Sequence, residues 1–366
     1  MGARPTPRHY GYYLFLGLGD YLSPGDLGPD WTSRWDLSEW ERRLDQLVRL
    51  GTNTLFVYLV GGRLPFTSES YPELLEPGHA NVERDFFQSV IDGATARGME
   101  VVAVLSTTGH ARALTDARPE LAIETRPGAS VTAPSAFPEG MHDEVVADRD
   151  GEAVVGTGIL CHHKSGARDY AMTVARECLT AYTGFSGYVL HPPEFVTGCL
   201  CESCRVAYRE RTGEELRDAS DEVVRSFFME TNLRFQRDEL EPIVSELIPN
   251  GRAFTFSIPW IFEGGFDKVA DLIPSHHTII EWDYNQAPER IATLAERVRE
   301  YGSAGHDVWF MPSAGLAFSP DTAAEQTAGT LRQIEVVLDA GVEGIVYFVG
   351  PYWYPYIEPT SWHLNR

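Results

Sequence analysis

The chain has 366 residues, of which 53 are Asp or Glu and 30 are Lys or Arg, so its formal net charge is -23. A surface this acidic repels phosphate backbones, which excludes nucleic acid as the expected partner. No stretch reaches the ~20 consecutive apolar residues that cross a bilayer, which excludes a membrane-spanning helix.

The start of the chain also lacks the apolar run and small-residue cleavage site of a secretion signal. A cytoplasmic location is therefore expected. The length suits one large domain, and we predict a single domain over residues 1–366.

Apolar runs typical of buried strands recur along the chain, each separated from the next by a helical pattern. The eight predicted strands cover residues 12–18, 54–59, 100–105, 187–190, 252–258, 277–282, 307–311 and 344–349. This alternation predicts a (β/α)8 barrel, the TIM-barrel fold. Gly51, Gly98 and Gly341 stand where left-handed caps would end three helices. A doubly wound open sheet is the competing layout, but no glycine-rich phosphate-binding turn follows the first strand.

Two segments depart from a regular barrel. Residues 106–164 form a long loop after the third strand, on the face where barrel enzymes build their active sites. After the eighth strand only residues 351–366 remain, which is too short for a normal eighth helix. We expect the N-terminal segment or a partner subunit to cover this gap, so a homo-oligomer is one predicted assembly.

Three thiols are crowded into a turn before a predicted helix, at Cys199, Cys201 and Cys204. This spacing allows one turn to grip a metal ion. A fourth ligand would come from Cys161 or from His162 and His163 beside it. Cys161 is favoured because four thiolates make a closed structural zinc centre, and free surface thiols are the alternative. Cys178 lies on a helical stripe and is expected to be a core residue.

The fourth predicted strand ends in His191-Pro192-Pro193-Glu194, which places a carboxylate where barrel enzymes carry catalytic groups. Residues 187–213, with this carboxylate and the Cys-x-Cys-x-x-Cys run, resemble the zinc-containing β-galactosidases of glycoside hydrolase family 42. The resemblance implies that Cys161 joins the three clustered cysteines on zinc. It also implies that Glu194 is the general acid/base.

This chain departs from the family at two positions. Pro193 stands where the family has Asn, and residues 310–315 contain no carboxylate where the family has its nucleophile at the end of strand seven. A second carboxyl group is normally needed for glycoside hydrolysis. Strand six supplies Glu281 and Asp283, which alternation places on one face. We expect that face to be the barrel mouth or the upper core, with Asp283 nearer the strand tip.

Carbohydrate is the predicted substrate, because flat rings at the mouth could stack on sugar C–H faces. The predicted substrate-binding residues are His110, His191, Trp260, Trp282, Tyr352 and Trp353. The sequence therefore predicts a glycoside hydrolase for a small oligosaccharide or glycoside, in which zinc has a structural role. The alternatives are a carbohydrate-binding barrel that does not hydrolyse, and a lyase or isomerase on the same scaffold.

Overall fold

The computed structural model describes most of the chain. The described residues are 7–16, 32–61, 63–76, 78–127, 130–131, 144–145, 154–193, 197–257, 266, 270–312 and 323–350. Eight strands form the centre: β1 (His9–Phe15), β2 (Thr54–Val60), β3 (Glu100–Leu105), β4 (Gly187–Leu190), β5 (Arg252–Phe256), β6 (Thr278–Trp282), β7 (Val308–Met311) and β8 (Gly344–Gly350). They pair in parallel in chain order, and β8 pairs with β1. The predicted (β/α)8 barrel is therefore confirmed.

Helices lie in the connections between the strands. The described ones are α1 (Leu37–Arg49), α2 (Ala80–Arg84), α3 (Phe87–Ala96), α4 (Arg112–Ala117), α5 (Ser165–Ala181), α6 (Glu202–Thr212), α7 (Asp221–Phe235), α8 (Glu241–Leu247), α9 (Pro288–Ser303) and α10 (Ala323–Ala340). A π-helical turn, Gln236–Leu240, joins α7 to α8. Single 3₁₀ turns occupy Thr32–Arg34, Pro72–Leu74, Pro119–Leu121, Leu216–Asp218 and Ala270–Leu272.

The first βα unit shows how the sequence produces this architecture. Asp36 caps α1 by accepting a hydrogen bond from the backbone N–H of Glu39, and the apolar side chains of Trp40 and Leu44, four residues apart on one face, are buried. Val48, in the last turn of the helix, is 40% exposed, so it lies off the packed face. The helix is followed by Gly51, whose φ of 82° is the left-handed geometry predicted for it.

Strand β1 begins earlier than the sequence indicates. Its pairing with β8 starts at His9 opposite Gly344, whereas the apolar run suggested a start at residue 12. Backbone pairing with β8 on one side and β2 on the other sets the strand boundary, and the side chains at its polar end do not reveal it.

Aromatic side chains fill the barrel interior. The ring of Tyr13 in β1 lies 6.2 Å from that of Phe256 in β5, and the ring of Phe56 in β2 lies 5.9 Å from that of Trp309 in β7. These strands are not neighbours in the sheet, so the rings meet across the barrel axis. The interior below the mouth is therefore a packed core, as in other barrels of this type.

The connection from β3 to α5 is the long loop predicted at residues 106–164. Its described residues include α4 and an antiparallel ribbon, in which Ala122–Thr125 pairs with Val154–Leu160. A second, smaller ribbon joins Ser130–Val131 to Glu144–Val145. The first ribbon matters for the site, because its return strand leads directly into Cys161.

The prediction of a shortened eighth helix concerns residues 351–366, which lie outside the described residues. The single domain over residues 1–366 and the homo-oligomer remain predictions. Within the described part of the chain, no helix combines the length and the apolar character needed to cross a membrane.

His79 fastens the loop after β2 to the end of β1. The side chain is buried, its Nδ1 accepts a hydrogen bond from the backbone N–H of Asn81 at 3.0 Å, and its Nε2 donates to the carbonyl oxygen of Leu16 at 2.5 Å. Both bonds require the neutral imidazole, because a proton on Nδ1 would face the N–H of Asn81. Burial lowers the pKa of His79 to about 4.

We expect the free energy of unfolding to fall as the pH is lowered from about 6.5 to about 4, because the unfolded chain protonates His79 more readily than the folded chain. This interval corresponds to about 3 kcal/mol for one group. Urea unfolding at pH 7 and pH 4.5 measures the loss, and His79→Asn should show a smaller one. Equal pH dependence in the two proteins would contradict this role.

Candidate active site and metal centre

Four cysteines lie together between the loops that follow β3 and β4. The Sγ atoms of Cys161, Cys199, Cys201 and Cys204 all lie within 4.8 Å of one another, and the four side chains are buried. The Sγ of Cys161 is 3.7 Å from that of Cys201 and 3.5 Å from that of Cys204. Four sulfurs placed tetrahedrally at ~2.3 Å from zinc would be about 3.8 Å apart, whereas a disulfide needs about 2.05 Å. The donor set therefore fits a closed four-thiolate zinc site.

Two different elements supply these thiols. Cys161 follows the ribbon strand Val154–Leu160, and its backbone N–H donates to the carbonyl oxygen of Leu121 at 2.9 Å. Cys201 is the N-cap residue of α6, and Cys204 lies in the first turn of that helix. Peptide dipoles at a helix N-terminus favour a thiolate.

Hydrogen bonds around the cluster tie the two loops together. The backbone N–H of Glu124 donates to the Sγ of Cys199 at 3.3 Å, and the N–H of Leu200 donates to the carbonyl oxygen of Glu124 at 2.5 Å. Lys164 Nζ donates to the carboxylate of Glu124 at 2.9 Å. Donors and a cation near the sulfurs stabilise thiolates, so Glu124 and Lys164 support the cluster from outside. The sequence analysis did not identify either residue.

The two histidines considered as alternative ligands are directed elsewhere. His162 Nε2 and His163 Nε2 lie 2.9 Å and 3.0 Å from the hydroxyl oxygen of Thr231 in α7. His162 is buried, and this burial lowers its pKa well below the usual range, so its ring is neutral. Both rings therefore contact α7 and do not belong to the four-sulfur group.

Mutual hydrogen bonds shift the pKa values of three clustered thiols in opposite directions. Hydrogen bonds from Cys161 and then from Cys199 and Cys204 lower the pKa of Cys201. The pKa of Cys161 is raised, first through its hydrogen bond with Cys199, and that of Cys204 is raised, first through its hydrogen bond with Cys161. A bound divalent cation would favour the thiolate form of its cysteine ligands.

Cys178 is separate from this cluster. It lies in α5, it is fully buried, and burial alone raises the pKa of its thiol. Its position agrees with the core role predicted for it.

Two predicted sugar-binding histidines meet at the carboxyl-terminal end of β3 and β4. The ring centroids of His110 and His191 are 5.4 Å apart, and both rings lie about 6 Å from that of Tyr58, at 6.1 Å and 6.2 Å. His191 also lies 4.7 Å from Phe256, at the top of the filled interior. Tyr58 is an additional polar group here, and its place near the end of β2 was the signal that could have identified it.

The backbone around these histidines is unusual. His110 has a φ of 51°, a left-handed geometry that a side chain-bearing residue adopts only when its surroundings hold it there. A Cβ on Gly109 would lie 3.0 Å from the Cα of Pro193, so the two loops approach at van der Waals distance. This close approach positions the chain directly before Glu194.

Glu194 itself, together with Trp260, Tyr352 and Trp353, lies outside the described residues. The loop carboxylates Asp20 and Glu263 also lie outside the described residues. Their predicted roles remain predictions.

Trp282 lies on the inner face of β6. It is buried, its ring is 5.0 Å from that of Tyr284, and the ring of Tyr284 is 5.5 Å from that of Phe348 in β8. This places Trp282 with the aromatic residues of the upper interior.

The strand-six carboxylates do not point where the sequence analysis expected. Ile280 pairs with Trp309 and Phe256, whose rings face the interior, so Ile280 faces inward as well. Side chains alternate along a strand, and Glu281 and Asp283 therefore face outward. The two carboxylates do share one face, as predicted. However, that face is turned away from the mouth and toward α9, which corrects the orientation on which their catalytic assignment rested.

Arginines of α9 neutralise this pair. Arg297 Nε lies 2.8 Å from Glu281, Arg297 Nη2 lies 2.8 Å from Asp283, and Arg290 Nη2 lies 2.7 Å from Asp283. Ser257 donates to the other oxygen of Glu281 at 2.5 Å. Burial raises the pKa of Asp283 to about 6, and the two arginines oppose this effect. The arrangement is an ion-pair network between barrel and helix.

We therefore expect Arg297→Met to destabilise the fold by about 3–5 kcal/mol, because it leaves two buried carboxylates without their shared partner. Chemical denaturation at pH 7 measures the loss. The triple variant Arg297→Met, Glu281→Gln, Asp283→Asn should recover most of it, since both buried carboxylates are then neutral and the side chain of Arg290, 24% exposed, is within reach of solvent. Failure of the triple variant to recover stability would show that packing, not charge, dominates at this position.

No protein-family model and no curated protein matches this chain. Solved structures do resemble it. A β-galactosidase from Marinomonas ef1 matches with a TM-score of 0.60 and 11% identity over 98% of this chain and 59% of its own. A family 20 exo β-N-acetylglucosaminidase from Vibrio harveyi matches with a TM-score of 0.58 and 14% identity, over 98% of this chain and 54% of its own. A family 42 β-galactosidase from G. stearothermophilus matches with a TM-score of 0.54 and 15% identity, over 94% of this chain and 52% of its own.

At these identities the similarity establishes the fold alone. The chain spans between about half and three fifths of the length of these three proteins.

Proposed function

We propose that the protein is a glycoside hydrolase whose active site lies at the carboxyl-terminal ends of β3 and β4. The observation that carries the proposal is the pair of buried imidazoles, His110 and His191, held beside the chain that leads to Glu194. Their ring nitrogens suit hydrogen bonding to sugar hydroxyls, and Tyr58 lies beside them. The similarity to two glycosidase families supports the same conclusion.

Glu194 is the general acid/base in this proposal. It would protonate the glycosidic oxygen as the bond to the anomeric carbon breaks, and it would then take a proton from the attacking water. The close contact between Gly109 and Pro193 supports this role, because it fixes the backbone just before the carboxylate.

Zinc, held by the four cysteines, is structural in this proposal. Four thiolates leave no open coordination position, so the ion would not act on substrate. It would clamp the loop after β3 to the loop after β4. The histidine pair lies on these same two loops, with His110 in residues 106–111 and His191 in residues 191–193. The clamp would therefore hold the two imidazoles and Glu194 in fixed positions relative to one another.

A 2-acetamido sugar is a second candidate substrate, favoured by one observation. Glu281 and Asp283 are occupied by arginines outside the barrel, which leaves Glu194 without the strand-six partner expected from the sequence. Family 20 enzymes use the acetamido group of the substrate in place of a second carboxylate. An enzyme of this kind would need no carboxylate nucleophile, because the substrate supplies the attacking oxygen.

The test is hydrolysis of nitrophenyl α- and β-glycosides, with galactosides, N-acetylglucosaminides and uronides, at low and high salt. We expect turnover on at least one β-glycoside. Turnover confined to 2-acetamido sugars would favour the second candidate, and turnover on galactosides would favour a carboxylate partner. Silence across the panel, with sugar binding retained, would favour a barrel that binds carbohydrate without hydrolysing it.

A further inference from the structure

A second group of side chains that could hold a metal ion, separate from the thiol cluster, lies at the amino-terminal end of β6. Glu241 begins α8, and His276 and His277 directly precede β6. The carboxylate oxygen of Glu241 lies 2.7 Å from His277 Nε2 and 2.9 Å from His276 Nε2. One ligand atom from each of the three residues falls within 4.8 Å of the others.

The hydrogen bonding at this site is crowded on one atom. Besides the two imidazoles, the hydroxyl of Tyr188 donates to the same oxygen of Glu241 at 3.0 Å. Three donors thus converge on a single carboxylate oxygen, which has two in-plane lone pairs. A cation between the two Nε2 atoms and the carboxylate would remove this crowding, because both imidazoles would then present lone pairs to the ion.

The surroundings suit a bound metal ion. His277 Nδ1 lies 2.6 Å from the hydroxyl oxygen of Thr255, the outer contact that commonly orients a metal-bound imidazole. Glu241 and His277 are buried, whereas the side chain of His276 is 64% exposed, so the ion could enter from solvent. The net charge of -23 raises the local concentration of cations.

We propose that Glu241, His276 and His277 form a site for a first-row divalent transition-metal ion, with Zn²⁺ as the expected occupant. Two imidazoles and one carboxylate with an open fourth position are a ligand set that zinc accepts. The site lies at the barrel end opposite the histidine pair, and that end serves stability in barrel enzymes. The ion would join α8 to β6, and its contribution would be to stability.

Zinc content and zinc titration test this proposal. Zinc-loaded protein is passed through gel filtration and its metal is counted by mass spectrometry, and Zn²⁺ binding is then measured by calorimetry. We expect His276→Ala and Glu241→Gln to hold one zinc fewer per chain than wild type, or to bind it at least tenfold more weakly. The thiol cluster is common to all these proteins and cancels in the comparison. Added Zn²⁺ should raise the Tm of wild type more than that of either variant.

His9→Ala is the matched control, because it removes a partly exposed histidine that lies 3.8 Å from one carboxylate, Glu100, and belongs to no group of three potential metal ligands among the residues that the structure describes. It should bind zinc as wild type does. His276 is exposed, so its variant should fold even if Glu241→Gln does not. The proposal is overturned if His276→Ala retains the wild-type zinc content and affinity, or if wild type and variant show the same Zn²⁺-induced change in Tm.

Discussion

Glu194→Gln is expected to lower the turnover number for unactivated glycosides by about 10²–10⁴-fold, the usual contribution of a positioned general acid/base. The amide has the size of the carboxyl group but cannot donate or accept the proton. Substrate affinity should change little, because the histidines at the mouth are untouched. Initial rates and KM for the best substrate of the glycoside panel measure both quantities.

The leaving group makes this test specific. Dinitrophenolate leaves the sugar without being protonated. The bond-breaking step of a dinitrophenyl glycoside should therefore be less sensitive to Glu194→Gln than that of an alkyl glycoside. Glu214→Gln, an identical change at an exposed carboxylate after α6, serves as control and should leave turnover unchanged. A Glu194→Gln protein with wild-type turnover would exclude the assigned role.

Cys161→Ser is expected to weaken zinc binding at the thiol cluster by more than about 100-fold, since even changes to groups that only support a ligand cost 10–100-fold. Cys161 is the one ligand that comes from the loop after β3, so its loss also separates the two loops. We expect a lower Tm and a lower turnover together, because the histidine pair and the residues before Glu194 depend on the same loops.

Cys178→Ser provides the matched control for that variant. Its thiol is equally buried but lies outside the four-sulfur group, so the change should destabilise the core without removing zinc. Zinc content by mass spectrometry separates the two cases. Full zinc content in Cys161→Ser, or none in wild type, would contradict the structural zinc centre.

The barrel could be predicted from sequence because its signals are local. Apolar runs at β2, β3 and β4 coincide closely with the observed strands, and glycines such as Gly51 adopt the left-handed geometry that ends a helix. The three clustered cysteines belong to the same category, since one turn and the start of α6 bring them together. The position of Cys161 does not follow from such local signals, because the ribbon of the long loop must fold back to bring Cys161 beside the other three cysteines.

Strand six shows a feature that the local sequence pattern does not determine, namely which face of the strand points inward. Alternation correctly places Glu281 and Asp283 on one face, because successive side chains of a strand point to opposite sides. Which side is inner depends on the neighbouring strands, whose rings at Phe256 and Trp309 occupy the interior, and on the arginines of α9. The cluster of Glu241 with His276 and His277 escaped detection for a related reason, because its members are distant in sequence.

The sequence by itself determined the alternation of strands and helices, the ends of helices and the three-cysteine turn, since each depends on residues that are near one another in the chain. Only the tertiary structure decided that Cys161 completes the thiol group, that His110 and His191 face each other, and that the strand-six carboxylates turn outward. These outcomes depend on contacts between segments far apart in the chain. Burying a charge without a partner is costly, so the position of Arg297 determines where the two carboxylates can lie.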